Sequence, residues 1–124
     1  MRIIPLDILS RSFFDRSNAG TTSLVLLSVL ERSTAPMYGY QIARLLEGND
    51  PEVSIMKQSS LYPVLRSLEE NELLASIVEP SVSGPPRRYY TITAEGRTTL
   101  KDWIEVWNQT KMFVDANLKG YSHI

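Results

Sequence analysis

The stretch from residue 73 to residue 93 limits the fold more than any other. "LLASIVEP" (73–80) reads as a strand with β-branched Ile77 and Val78, and "RRYYTIT" (87–93) as a second strand rich in Tyr, Thr and Ile. Between them "SVSGPP" is dense in Ser, Gly and Pro, which is turn chemistry. The pair is a hairpin with Gly84, Pro85 and Pro86 at its tip and Arg87 and Arg88 beside it. The segments before the hairpin are helical in pattern, and one long helix comes after it.

Three helical patterns lead up to the hairpin. "TTSLVLLSVLERS" (21–33) has a broad apolar face of Leu24, Leu26, Leu27 and Leu30, with Thr21, Thr22 or Ser23 as its cap. "YGYQIARLLEG" (38–48) has a core stripe of Ile42, Leu45 and Leu46, and Gly48 suits a left-handed C-terminal cap. "NDPEVSIMKQ" is a loop, with a brief extended piece at Val53–Met56. In "SSLYPVLRSLEENELL" (59–74), an N-cap at Ser60 puts Pro63 at the third helical position, where its missing N–H breaks no intrahelical bond. Leu61, Leu65 and Leu68 then fall at i, i+4 and i+7 as the core face, while Tyr62, Pro63, Arg66 and Glu70 face elsewhere. After the hairpin, Thr93 caps a helix over about 94–118, with Glu95 in its first turn. Leu100, Trp103, Ile104, Trp107, Val114 and Leu118 give that helix an apolar side.

The expected fold is therefore mainly α with a small two-stranded β-hairpin: a winged helix-turn-helix followed by a long C-terminal helix. Residues 1–18 form an N-terminal arm, 19–93 the winged-helix domain, and 94–124 the C-terminal helix and tail. The arm carries Ile3, Ile4, Leu6, Ile8, Leu9, Phe13 and Phe14 among arginines, and reads either as an amphipathic segment for a partner or as a partly ordered tail. At its start Pro5 and Asp7 break the apolar run too early for a signal peptide. No stretch is long and apolar enough to span a bilayer, so a cytoplasmic protein is expected. The chain has no cysteine, which excludes disulfides and thiolate metal sites. Its one histidine, His123, has no neighbour suited to general-base or metal chemistry, so neither an enzyme nor a cofactor is expected. A net charge of -1 argues mildly against nonspecific nucleic-acid binding, and leaves room for a reader whose positive charge is local.

Three motifs resemble the PadR family of transcriptional regulators: "MYGYQIARLL", "SSLYPVLRSLEENELL" and "GPPRRYYTITAEGR", in the family's order and roughly its spacing. The resemblance covers about residues 24–118. It implies a winged-helix DNA-binding domain, a homodimer built through the C-terminal helix, and repression of transcription. The length is similar to the shorter-tailed group with a single C-terminal helix, some of whose members respond to flat aromatic drugs at the dimer centre. The third helix opens here with Ser59-Ser60 in place of the usual Gly-Thr or Gly-Ser. The usual "EGL" at its end reads Asn71-Glu72-Leu73, so Asn71 is expected to take the left-handed cap. The arm is longer than usual for the family.

In a helix-turn-helix the front of the second helix of the motif enters the major groove, and its N-terminal N–H groups suit phosphate. The expected DNA-binding residues are accordingly Ser59, Ser60, Tyr62, Pro63 and Arg66 on that helix. Lys57 lies just before it, and Tyr40 and Gln41 lie at the front of the preceding helix near the backbone track. Arg87 and Arg88 complete the set on the wing. Tyr38 and Tyr40 read equally as core. In a strand Arg87 and Arg88 point to opposite faces, so one of them is expected to meet DNA fully. Lys57, Arg66, Arg87 and Arg88 are expected on a basic face, with Glu69, Glu70, Glu72 and Glu79 gathered at the far end. Trp103 and Trp107, one turn apart, suit either a dimer interface or a small aromatic effector; Trp107 lies where drug-sensing relatives carry a stacking tryptophan. The function expected is a homodimeric repressor of a palindromic operator. The alternative is a winged-helix protein-interaction module without DNA binding.

Overall fold

The computed structural model of the chain describes residues 20–47 and 58–121, with side chains from residue 61 in the second stretch. The N-terminal arm, Gly48, the piece at Val53–Met56, Lys57 and His123 lie outside the described residues. Helix α1 (20–32) buries Leu26, Leu27, Val29 and Leu30, as its apolar face demands. Gly20 is already helical, so Thr21, Thr22 and Ser23 lie inside the helix rather than capping it.

A short strand, β1 (Met37–Tyr38), separates α1 from helix α2 (Gly39–Glu47). The second helix thus opens one residue later than expected, and Tyr38 serves as its cap position. The side chain of Gln41 reaches back to accept the Tyr38 N–H at 3.1 Å, one half of a capping box. The core stripe of α2 is Gly39, Ile42, Ala43 and Leu46, at i, i+3, i+4 and i+7. Leu45 lies off that stripe and is 58% exposed, which corrects its placement in the core.

Helix α3 (Gln58–Glu70) buries Leu61, Leu65 and Leu68, as their spacing requires. It starts ahead of the Ser60 cap inferred from the sequence, so Pro63 sits inside the helix, not at its third position. Pro63 therefore has no N–H to give the carbonyl of Ser59, one turn back. The helix ends in a Schellman motif: Leu73 N–H donates to the Leu68 carbonyl and Glu72 N–H to that of Glu69, both at 2.9 Å. The left-handed residue is Glu72, with φ 64, and not Asn71. Asn71 remains on the helical ladder and uses its side-chain amide to bond the Ser67 carbonyl at 2.8 Å.

Strands β2 (Leu74–Glu79) and β3 (Arg87–Ile92) form the expected hairpin. The sheet is nevertheless three-stranded, in the order β1-β3-β2, because Met37 and Tyr38 pair antiparallel with Tyr90 and Tyr89. The β2–β3 register sets Leu74 opposite Ile92, Ser76 opposite Tyr90 and Val78 opposite Arg88. Alternation then puts Leu74, Tyr90 and Ile92 on the core face, where all three are buried. At the wing tip Gly84 takes φ 99, and the Ser81 hydroxyl lies within 3.0 Å of the carbonyls of Ser83 and Gly84.

Helix α4 (Ala94–Leu118) starts where the sequence puts it. Thr93 caps it: its Oγ1 accepts the Gly96 N–H at 2.9 Å and donates to the Glu72 carbonyl at 2.7 Å. A Cβ on Gly96 would lie 2.2 Å from the Leu73 carbonyl oxygen and 2.7 Å from Ile92 Cγ1, so only glycine lets α4 approach this closely. Leu100 joins one core with residues of α1, α2, α3, β2 and β3. No helix of the described residues is long and apolar enough to cross a membrane.

Two substitutions at this corner act in opposite directions in urea denaturation. Gly96→Ala loses about 2–3 kcal/mol, because backbone and Ile92 must move apart. Glu72→Gly gains about 0.5–1 kcal/mol, because the left-handed conformation no longer opposes a side chain.

Candidate nucleic-acid interface

α3 presents two faces. Its leucines hold the core, while Tyr62, Pro63, Arg66 and Glu70 point to solvent. Tyr62 keeps its place because Gly39 makes room for it: a Cβ there would lie 2.4 Å from Tyr62 Cε1. The start of α2 and the front half of α3 are thereby locked ring against backbone.

Beside α3 the wing contributes its core-side face beyond the point where the core ends. Arg88, two residues from buried Tyr90 on the same face of β3, emerges next to the helix. A cleft of about 390 Å³ is lined by Tyr62, Arg66, Glu69, Glu70, Arg88 and Tyr90. It brings together three of the residues singled out from the sequence, Tyr62, Arg66 and Arg88. Arg88 Nη1 donates to the Ser76 hydroxyl at 2.8 Å, and that hydroxyl donates to Glu69 Oε2.

The other expected residues are placed differently. Arg87, on the opposite face of β3, lies over the Tyr38 ring at 4.5 Å from its centroid. Tyr38 meets Tyr89 edge-on at 5.4 Å and stacks with Tyr40 at 6.4 Å. Tyr40 and Arg87 therefore belong to an aromatic cluster on the outer side of the sheet, and Tyr40, half exposed, is not core. Gln41 is engaged in capping α2. The side chains of Ser59 and Ser60 lie outside the described residues, as does Lys57.

The expected separation of charge is corrected as well. Glu69 and Glu70 lie three and four residues after Arg66, so they share its side of α3 and line the same cleft. Glu79 stands opposite Arg87 in the β2–β3 ladder. Basic and acidic groups are interleaved at the helix and the wing. Sequence reasoning missed Ser76, Gly39 and Tyr90 in this site. The signal for Ser76 was its even spacing from Val78, which pairs with Arg88 once the hairpin register is known.

At the other end of the molecule, α4 leaves the domain after Trp103. Trp103 and Trp107, with Val106 and Thr110, face Gly20 and Leu24 of α1 across an open groove of about 480 Å³. Beyond it Met112, Phe113, Val114 and Leu118 are all exposed.

Comparison with known proteins matches this arrangement to the PadR-like family of transcriptional regulators over residues 26–102. The chain belongs to the PadR family. A PadR-family transcriptional regulator from Eggerthella lenta is 30% identical and superposes with a TM-score of 0.71, over 92% of this chain and 96% of that one. A transcriptional regulator from Clostridium thermocellum is 29% identical, with a TM-score of 0.71 over 81% and 95% of the two chains. A PadR-like regulator from Bacillus cereus is 26% identical, with a TM-score of 0.63 over 82% and 94%. The PadR winged-helix fold thus extends through the hairpin into α4, and the chain is a transcriptional regulator, not an enzyme.

Within the cleft, burial pushes the Tyr90 phenol above the ordinary tyrosine pKa; Glu69 adds to the rise and Arg88 opposes it. The fold favours the neutral phenol. Its contribution to stability is complete below the unfolded value of about 10 and is lost as pH rises through the higher folded value. In urea titrations from about pH 9 to about pH 11.5, the wild-type chain loses stability more steeply than Tyr90→Phe.

Proposed function

We propose that this PadR regulator is a homodimeric repressor that seats the front of α3 in successive major grooves of a palindromic operator. The observation that carries the reading is the convergence of Tyr62, Arg66 and Arg88, from α3 and the wing, on one cleft. A phosphate approaching there meets two guanidinium groups from two different elements, the arrangement that fixes a helix in register on a duplex. Arg66 also has the length to reach a guanine edge from the same helix. The wing, led by Arg88, holds the flanking backbone, and Tyr62 packs on sugar or bonds phosphate. Lys57, Ser59 and Ser60 are proposed to add contacts at the helix front.

The dimer reading rests on α4. Its last four turns project from the domain with Ile104, Trp107, Val114 and Leu118 along one stripe, and Trp107 is 44% exposed although it is a large aromatic. A projecting helix with such a stripe is unstable in water on its own and is satisfied by a two-fold copy of itself. Two α3 helices related by that axis require an operator with matching symmetry. The groove between Trp103, Trp107 and the start of α1 supports a planar aromatic effector near this interface. Such a ligand relieves repression only if it prefers one spacing of the two α3 helices over the other.

Fluorescence anisotropy tests the reading, with DNA from just upstream of the chain's own gene against scrambled DNA at two salt concentrations. The wild-type protein binds the upstream DNA selectively and with a marked salt dependence. Arg66→Ala and Arg88→Ala each weaken binding and reduce the slope against log salt by about one. Equal, weak binding to both DNAs that neither substitution alters contradicts the reading and favours a protein partner instead.

A further inference from the structure

Arg88 on the wing is not a free side chain. It donates to Ser76 on the neighbouring strand at 2.8 Å, and Ser76 in turn donates to Glu69 on α3. A serine hydroxyl is the group this chain of bonds requires, because it accepts from one partner and donates to the other. The relay crosses from the wing to α3 and ends one turn beyond Arg66. Part-buried Glu69 is thus tied to the wing arginine and lines, with exposed Glu70, the same cleft as exposed Arg66 and Arg88.

We propose that Glu69 and Ser76 are positioning residues that set the specificity of this interface. The inference rests on the DNA-reading function above. Ser76 fixes the direction in which Arg88 meets a phosphate. Glu69 makes that direction matter: a phosphate in line with the guanidinium groups is attracted, and one that shifts toward the less exposed Glu69 meets carboxylate charge. Loose binding to DNA of any sequence is thereby penalised more than binding in register, which is discrimination by a repulsive element. It also fits a chain of net charge -1, in which nonspecific attraction to phosphate is weak from the outset.

Three variants separate direction from charge. Ser76→Ala breaks the relay and keeps the Glu69 charge. Glu69→Gln removes the charge and keeps an oxygen that accepts the Ser76 hydroxyl. Ser76→Thr retains a hydroxyl on a β-branched residue suited to a strand. Anisotropy on operator and scrambled DNA reads the ratio of the two affinities. Ser76→Ala weakens operator binding about two- to fivefold and leaves scrambled binding unchanged, whereas Glu69→Gln tightens scrambled binding by a similar factor. Ser76→Thr restores the wild-type ratio, which a role in folding alone does not explain. In DNA-free protein, NMR of the Arg88 guanidinium shows restricted rotation in wild type, Glu69→Gln and Ser76→Thr, and faster rotation in Ser76→Ala. Selective wild-type binding with an unchanged ratio in Ser76→Ala and Glu69→Gln overturns this inference alone. Absence of any DNA binding by the wild-type chain overturns the proposed function and this inference with it.

Discussion

One residue, Thr93, joins four segments of the chain. Its hydroxyl caps α4 by accepting the Gly96 N–H and donates to the Glu72 carbonyl in the turn that ends α3, while its N–H donates to the Leu73 carbonyl at 3.2 Å. Thr93 directly follows β3 and Leu73 directly precedes β2, so helix, turn, sheet and next helix meet within a few ångströms. Gly96 seals the corner, because its missing side chain lets α4 press onto Leu73 and Ile92. These bonds and the close approach at Gly96 tie the start of α4 to the end of α3 and to the base of the hairpin. The start of α4 and the end of α3 are thus held by the same few atoms.

The other half of the site depends on where the core stops. Leu61, Leu65 and Leu68 hold α3 down along one side, and Tyr90 and Ile92 do the same for β3. On α3 the positions between those leucines that face away from the core carry Tyr62 and Arg66, and on β3 the next position on the core face toward the tip carries Arg88. A polar, aromatic and basic front on an otherwise core-bound helix is therefore the visible side of an amphipathic pattern, with Gly39 shaping the seat of Tyr62. The acidic residues are interleaved with the basic ones rather than banished to the far end. Helical spacing from Arg66 and the hairpin register at Arg87 leave them no other place.

Most of the fold was legible because it rests on local rules. Leucine spacing marks the buried face of α3, the Ser-Gly-Pro turn marks the hairpin, and Thr93 announces α4 by its capping chemistry. The misses share a cause, which is that a non-local partner decides them. Met37 and Tyr38 form a strand only because β3 offers an edge, so a two-residue stretch before a helix gave no signal. Glu72 rather than Asn71 takes the left-handed position because the Schellman bonds to Leu68 and Glu69 fix which residue turns. Leu45 falls outside the core since α2 shows the other helices a narrow stripe centred on Gly39, Ile42 and Leu46. In the candidate site, Arg66 and Tyr62 could be read from their helix. The Ser76 bridge from Arg88 to Glu69 needed the strand register and the packing of the wing on α3.

Amide chemical-shift mapping of the labelled protein with duplex DNA from its own upstream region tests the central claim most directly. The account predicts that shifts concentrate at the start of α2, along the front half of α3 around Tyr62 and Arg66, and on the wing about Arg88. Weaker changes should extend through Thr93 and Gly96 into α4. Shifts confined to the outer tyrosine cluster around Tyr38 and Tyr89, with α3 unmoved, would contradict it.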